Sequence, residues 1–413
     1  MRPVPIVSMT LVMAIASILM PGSAVAEMSK KLQAQYPAKD VLPDTNHPLV
    51  KKWIAEIDWS KVPKLPLAKA DIPNCPDCPA GKKGVPKDAC WWTCDGCVAE
   101  DDIEVCPRDK AWGLTYDDGP SEETPRLLRK LHQANVTSTF FVVGSRVLEY
   151  PETLLQEVKE GHHIGLHTWS HAGMTSLTNE QIVAEIKWAE KVVFDVTGLK
   201  TKYWRPPYGD VDNRVREIVR QMGYKTVIWT KEWDSNDWQI PDKTITNKEV
   251  FRNFKWALST VPKLKGGVIT LEHDLYTQTV NVAGPLLDMG MKKGLEPMDI
   301  ARCVNDPEPY QNSALTQKEA DKKPAADMPA ADKPTADKPA ADKPAAAPAA
   351  KPVTPQPQTP LETPKAASAP ETVSGKTVDS AIAAKGVKKS DATQLAWSAT
   401  CLAIVAMSAL LSL

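Results

Sequence analysis

Between Thr115 and His273 the chain carries five short polar segments: Thr115-Tyr116-Asp117-Asp118-Gly119-Pro120, His167-Thr168-Trp169-Ser170-His171, Arg205-Pro206-Pro207-Tyr208, Asp234-Ser235-Asn236-Asp237-Trp238 and Leu271-Glu272-His273. Two adjacent carboxylates, a histidine pair, an arginine, a further aspartate and a late histidine are the parts needed to activate water, hold an oxyanion and protonate a leaving group. No one segment would suffice for that chemistry. His167, His171 and a carboxylate, for which Asp118 is the obvious choice, make a set suited to zinc with positions left open for water and substrate. Asp117 and Asp118 point to opposite faces if their strand continues, and Gly119-Pro120 supplies the turn that lets both serve one site. Beside a cation the two can divide the work, one binding it and the other acting as base. His162 and His163 read as structural residues at a strand start.

These segments need elements that bring them together. From Trp112 to Cys303 apolar runs of strand length, such as Thr139 to Val143, His163 to His167, Lys225 to Trp229 and Gly267 to Leu271, alternate with helical stretches, the longest Asn179 to Val196. The alternation implies an α/β domain of parallel strands with crossover helices. Each polar segment follows an apolar run and so falls at a strand's carboxyl end. An open sheet would spread five such ends along a crevice, whereas a barrel gathers them at one mouth. A distorted or incomplete β/α barrel is therefore expected, with a Cys-rich N-terminal extension and a disordered C-terminal stalk.

The five segments, in this order and with no catalytic substitution, resemble those of the polysaccharide deacetylases, the NodB-like carbohydrate esterases, over residues 109–303. The resemblance implies one divalent metal, usually zinc with cobalt or manganese as alternatives, held by Asp118, His167 and His171. It implies Asp117 as general base, His273 as general acid with Asp237 orienting it, and Arg205 holding Asp117 ionised and aimed. The Tyr208 backbone N–H would help to stabilise a tetrahedral oxyanion, and Trp238 and Leu271 would wall the acetyl pocket. Trp204, Trp233 and Trp238 are open to two readings, sugar stacking or packing.

The flanks set the context. Residues 1–26 end an apolar run in Ala24-Val25-Ala26 and read as a signal peptide. Residues 27–108 form an arm and Cys-rich extension. Six of the 8 cysteines crowd between Cys75 and Cys106, and in a secreted chain disulfides are a better reading than a zinc ribbon, with Cys303 tied back to that leader. Residues 304–380 include tandem Ala-Ala-Asp-Lys-Pro repeats whose prolines prevent continuous helix, giving a stalk. Residues 381–413 read as a glycosylphosphatidylinositol (GPI) signal, with Ser380 as the attachment site and hence a lipid tether to the membrane. Asn135-Val136-Thr137 is a glycosylation acceptor pattern. With 50 Lys+Arg against 51 Asp+Glu, nothing points to a nucleic-acid partner. These flanks resemble those of fungal cell-wall chitin deacetylases, which implies chitin or another N-acetylglucosamine polymer as partner and a place at the cell surface. Other acetylated glycans, a non-catalytic chitin-binding protein and an iron oxygenase with two His and one carboxylate are the rival readings.

Overall fold

A computed structural model of the chain describes residues 34–70, 75–78, 84–261 and 265–312. The expected signal peptide, the stalk beyond residue 312, the GPI segment and Ser380 lie outside the described residues. Among the described residues nine short strands form the centre: β1 (Ala111–Gly113), β2 (Thr115–Asp117), β3 (Thr139–Val142), β4 (His163–Leu166), β5 (Tyr203–Trp204), β6 (Lys225–Thr226), β7 (Val268–Ile269), β8 (Glu272–His273) and β9 (Glu296–Met298). Their pairings are all parallel, in the orders β6-β5-β4-β3-β2-β8 and β7-β1-β9.

The two sheets share strand lines, because β1 runs into β2 through Leu114 and β7 runs into β8 through Thr270 and Leu271. At Leu114 the neighbour changes: its N–H donates to Met298 O at 2.9 Å, while its own carbonyl accepts from Thr139 N at 2.9 Å. The ring closes through an irregular stretch rather than a ladder. Thr230 N donates to Ile269 O at 3.0 Å, Leu271 N to Trp233 O at 3.1 Å, and Ser235 N to Leu271 O at 3.1 Å. The protein is thus a distorted parallel β/α barrel.

Side-chain alternation sorts two layers. Tyr116, Phe140, Val142, Ile164, Leu166 and Trp204 face the surrounding helices in one large apolar core. Phe141, Tyr203, Ile269 and Met298 form a smaller cluster inside the ring. Strands buried on both faces read as continuous apolar runs, which is why the sequence shows them as such.

The longest helix, Asn179–Thr197, is delimited locally. Thr178 and Gln181 form a reciprocal capping box, and Gly198 ends the helix with φ 73°. The N-terminal arm packs against this helix, with the rings of Trp53 and Tyr36 edge-on to Trp188 at 5.4 and 5.5 Å, and Tyr36 also stacks on Trp169 of the preceding loop at 5.7 Å. Three disulfides join Cys78 to Cys94, Cys90 to Cys97 and Cys106 to Cys303. The last ties the end of the barrel to the leader, and the CxxC pairs do not assemble a zinc ribbon. Cys75 is buried outside these three bridges. The folded chain continues past Cys303: Lys202 N donates to Pro309 O at 3.2 Å and Ile164 N to the Tyr310 hydroxyl at 3.2 Å.

Candidate active site

The carboxyl ends of β2, β4, β5 and β8 bring the predicted residues to one mouth. Asp118 Oδ1 lies 3.1 Å from His171 Nε2 and 3.4 Å from His167 Nε2. The ligand atoms of these three residues all lie within 4.8 Å of one another. His167 Nδ1 is 2.8 Å from the Arg205 carbonyl, which can only accept, so Nδ1 carries the proton and Nε2 presents a lone pair. That lone pair faces a buried carboxylate oxygen with no hydrogen bond of its own. Converging lone pairs without donors fit a cation, and the outer bond from Nδ1 is the support a ligating imidazole ordinarily has. For His171, burial lowers the pKa by more than Asp118 raises it.

Asp117 lies beside this cluster, its Oδ2 3.9 Å from His167 Nε2. Its Oδ1 accepts from Arg205 Nη1 at 2.9 Å, and the same nitrogen donates to Thr115 Oγ1 at 2.6 Å. Arg205 is fully buried inside the ring, its guanidinium 4.4 Å over the face of Phe141. Gly165 makes room for that ring, since a Cβ there would meet Phe141 Cδ1 at 2.4 Å.

Beside Asp117, β8 pairs with β2 so that His273 and Asp117 are register partners on neighbouring strands. His273 Nδ1 is 2.7 Å from Asp237 Oδ1, and its backbone N–H donates to Asp237 Oδ2 at 2.9 Å. Burial disfavours the imidazolium, yet Asp237, its hydrogen bond, and more distantly Asp118 and Asp117 raise its pKa to about 10. The histidine is therefore held protonated at neutral pH.

The remaining predicted residues sit as follows. The Tyr208 ring approaches His171 edge-on at 4.7 Å. Trp238 is partly exposed, its indole N–H 3.5 Å from Asp234 Oδ2, and Leu271 is buried beside β8. Trp204 and Trp233 are core residues and not sugar platforms: both are buried, Trp204 donating to Thr226 Oγ1 and Trp233 packing on Phe254. Asn135 is exposed at the end of helix Thr124–Ala134, away from these segments in sequence.

Three further residues at the site escaped the sequence reading. Glu185, buried on the long helix, accepts from Trp169 N and Ser170 N at 2.8 Å and from Ser170 Oγ at 2.6 Å, fixing the loop between the two histidines. Asp274 accepts from Gly119 N at 2.9 Å and Thr124 Oγ1 at 2.5 Å, anchoring the turn after Asp118. Arg146 Nη1 donates to the Asp118 carbonyl at 2.6 Å. Nothing local in the sequence marked any of the three.

The site loops are also strained. Asp118, Thr168, His171, Tyr208 and Asn236 hold φ of 79°, 64°, 62°, 60° and 59°, and none is glycine. Such backbone costs about 1–3 kcal/mol per residue and persists where surrounding contacts over-determine it, which occurs mostly at functional sites.

A parallel barrel with a cation-ready His/Asp cluster beside a base-like and an acid-like group defines a class of hydrolytic barrel. A family model described as polysaccharide deacetylase matches residues 104–227. Chitin deacetylase 1 of Cryptococcus neoformans var. grubii serotype A is 47% identical over 271 residues, 63% of this chain and 56% of that protein, so the chain spans little more than half of that relative. Chitin deacetylase 1 of Saccharomyces cerevisiae is 36% identical over 269 residues, 62% of this chain and 83% of that protein. Among solved structures, the chitin deacetylase of the fungal pathogen Colletotrichum lindemuthianum matches at 28% identity over 52% of this chain and 97% of that one, with a TM-score of 0.48. The chain belongs to the polysaccharide deacetylase family.

Proposed function

We propose that the protein is a metal-dependent deacetylase that hydrolyses the N-acetyl groups of chitin, releasing acetate and leaving chitosan. The observation that carries this reading is that one mouth holds, beside the His/Asp cluster, Asp117 bound by Arg205 and, on the neighbouring strand, His273 bound by Asp237. The names of the two relatives support chitin as the substrate.

Asp118, His167 and His171 would hold one divalent ion, zinc being best suited to two imidazoles and one carboxylate, with cobalt or manganese as substitutes. Such an ion, when bound, lowers the pKa of water and polarises a carbonyl. Asp117 takes the proton from the attacking water through the oxygen not engaged by Arg205. The Tyr208 N–H donates to the oxyanion as the acetyl carbon becomes tetrahedral. His273 gives its proton to the departing amine, so that acetate leaves without a covalent enzyme intermediate. Trp238 and Leu271 would exclude water from the acetyl methyl. Secretion and a lipid tether fit the terminal segments, and three disulfides support an oxidising compartment. Exposed Asn135 is available to carry a glycan there.

The test is acetate release from defined chitin oligomers and from acetylated xylan. Activity on the oligomers should vanish on chelation and return with zinc or cobalt, without an oxygen requirement. Asp117→Asn should lose on the order of a hundredfold or more in acetate release while binding the metal as the wild type does. Undiminished activity in that variant would sink the base assignment, and preference for xylan would move the substrate.

A further inference from the structure

The Cys-rich segment ahead of the family-matched region packs against the turn that carries Tyr208. Of its disulfides, Cys90–Cys97 brackets a helical turn, Trp92–Asp95, and Cys78–Cys94 pins that turn from within. Trp92 is buried and lies edge-on to Trp229 at 4.4 Å. It also lies directly under Gly209, where an added Cβ would meet the indole at 2.4 Å and where φ is +66°. The Trp92 backbone N–H donates to Val211 O at 3.1 Å, and Asn213 N donates to Ala89 O at 2.7 Å. The neighbouring Trp91 indole donates to Asp210 Oδ1 at 2.7 Å.

Asp210 is fully buried and is the joint of this arrangement. Besides Trp91 it accepts from Thr175 N at 2.8 Å and from Thr175 Oγ1 at 3.0 Å. Thr175 lies four residues after His171, and Asp210 two after Tyr208. One carboxylate thus links the Cys-rich segment, the loop carrying the second histidine, and the turn carrying the Tyr208 amide. That turn holds Tyr208 at φ 60°, a conformation with a free-energy cost that its own sequence does not offset.

We propose that the Cys-rich segment is part of the working site: Trp91 and Trp92, acting through Asp210 and Gly209, are positioning residues that hold the Tyr208 amide and the His171 loop in register for the oxyanion. This rests on the deacetylase reading above. A misplacement of about 1 Å at such a donor costs on the order of a hundredfold in rate, so the effect belongs in kcat rather than KM.

The experiment compares Trp92→Ala, Trp92→Phe and, as a cavity control on the helix Thr124–Ala134, Leu131→Ala. Four quantities are read: zinc content, thermal stability, kcat and KM for acetate release from a chitin pentamer, and hydrogen exchange of the peptide covering residues 203–211. The expected result for Trp92→Ala is zinc retained at the wild-type ratio and a kcat lower by roughly tenfold to a hundredfold, with KM little changed and faster exchange in that peptide. Trp92→Phe should restore most of kcat, and Leu131→Ala should lose stability while keeping both kcat and the protection of residues 203–211. A folded Trp92→Ala with unchanged exchange and kcat overturns the proposal, as does a Leu131→Ala that loses kcat to the same extent. If the wild type releases no acetate from any acetylated glycan, the deacetylase reading falls, and the exchange measurement alone then decides whether Trp92 holds the turn.

Discussion

His273 and Asp237 show how one contact sets a protonation state. A buried imidazole alone would favour its neutral form, but Asp237, 2.7 Å away, reverses that and raises the pKa from 6.5 to about 10. A divalent cation at Asp118 would pull the value down by repulsion. As the group must be protonated to serve as acid, turnover should be level at neutral pH and fall as pH rises through its pKa in the loaded enzyme. Asp237→Asn keeps an acceptor but removes the charge, and should move this alkaline limb down by about one pH unit or more. A pH profile of kcat with an unmoved alkaline limb would exclude His273 as the titrating acid. The sign for stability is the same: the pair's contribution is complete below the ordinary histidine pKa of 6.5 and is lost as pH rises through about 10.

At the scale of elements, the barrel supplies direction and the loops supply strain. Alternation along β2, β4 and β5 turns Asp117, His167 and Arg205 inward while Tyr116, Leu166 and Trp204 pack outward. The loop from His167 to His171 cannot hold two left-handed residues unaided, and Glu185 ties it to the long helix with three hydrogen bonds. Glu185→Ala would leave two buried backbone N–H groups without their acceptor, at about 1–3 kcal/mol each. The expected outcome is a zinc affinity weakened on the order of tenfold, measured by competition with a chromophoric chelator, together with a lower unfolding temperature. Wild-type zinc affinity in a folded variant would show that the loop holds itself.

Over the whole molecule, the chain ahead of the barrel is built into it. The arm covers the long helix through Trp53 and Tyr36, the Cys-rich segment lies under the Tyr208 turn, and Cys106–Cys303 joins residues 197 apart in sequence. Closing so long a loop restricts the unfolded chain, so replacing both cysteines by serine should cost about 2–5 kcal/mol of stability. Thermal or denaturant unfolding checks this, and an unchanged midpoint would mean that packing alone holds the C-terminal end. Because neither cysteine belongs to the His/Asp cluster, Cys106 Sγ lying instead against the Val268 carbonyl, the zinc affinity of the folded double variant should match the wild type.

The chemistry was legible from residue types and order: a histidine pair, adjacent aspartates and a late histidine, each after an apolar run, determine both the parallel barrel and the composition of its mouth. Strand periodicity also determined which side chains turn inward, because that is a local property of the backbone. The disulfide pairing, the core burial of Trp204 and Trp233, and the parts played by Glu185, Asp274, Arg146 and Asp210 were decided only by tertiary structure. Each depends on two segments meeting that are distant in the chain, as Trp91 and Asp210 do across 119 positions. No spacing or propensity within either segment records such a meeting. The left-handed backbone at Asp118, His171 and Tyr208 belongs to the same group, since local preference disfavours it and only the surrounding packing and hydrogen bonds impose it.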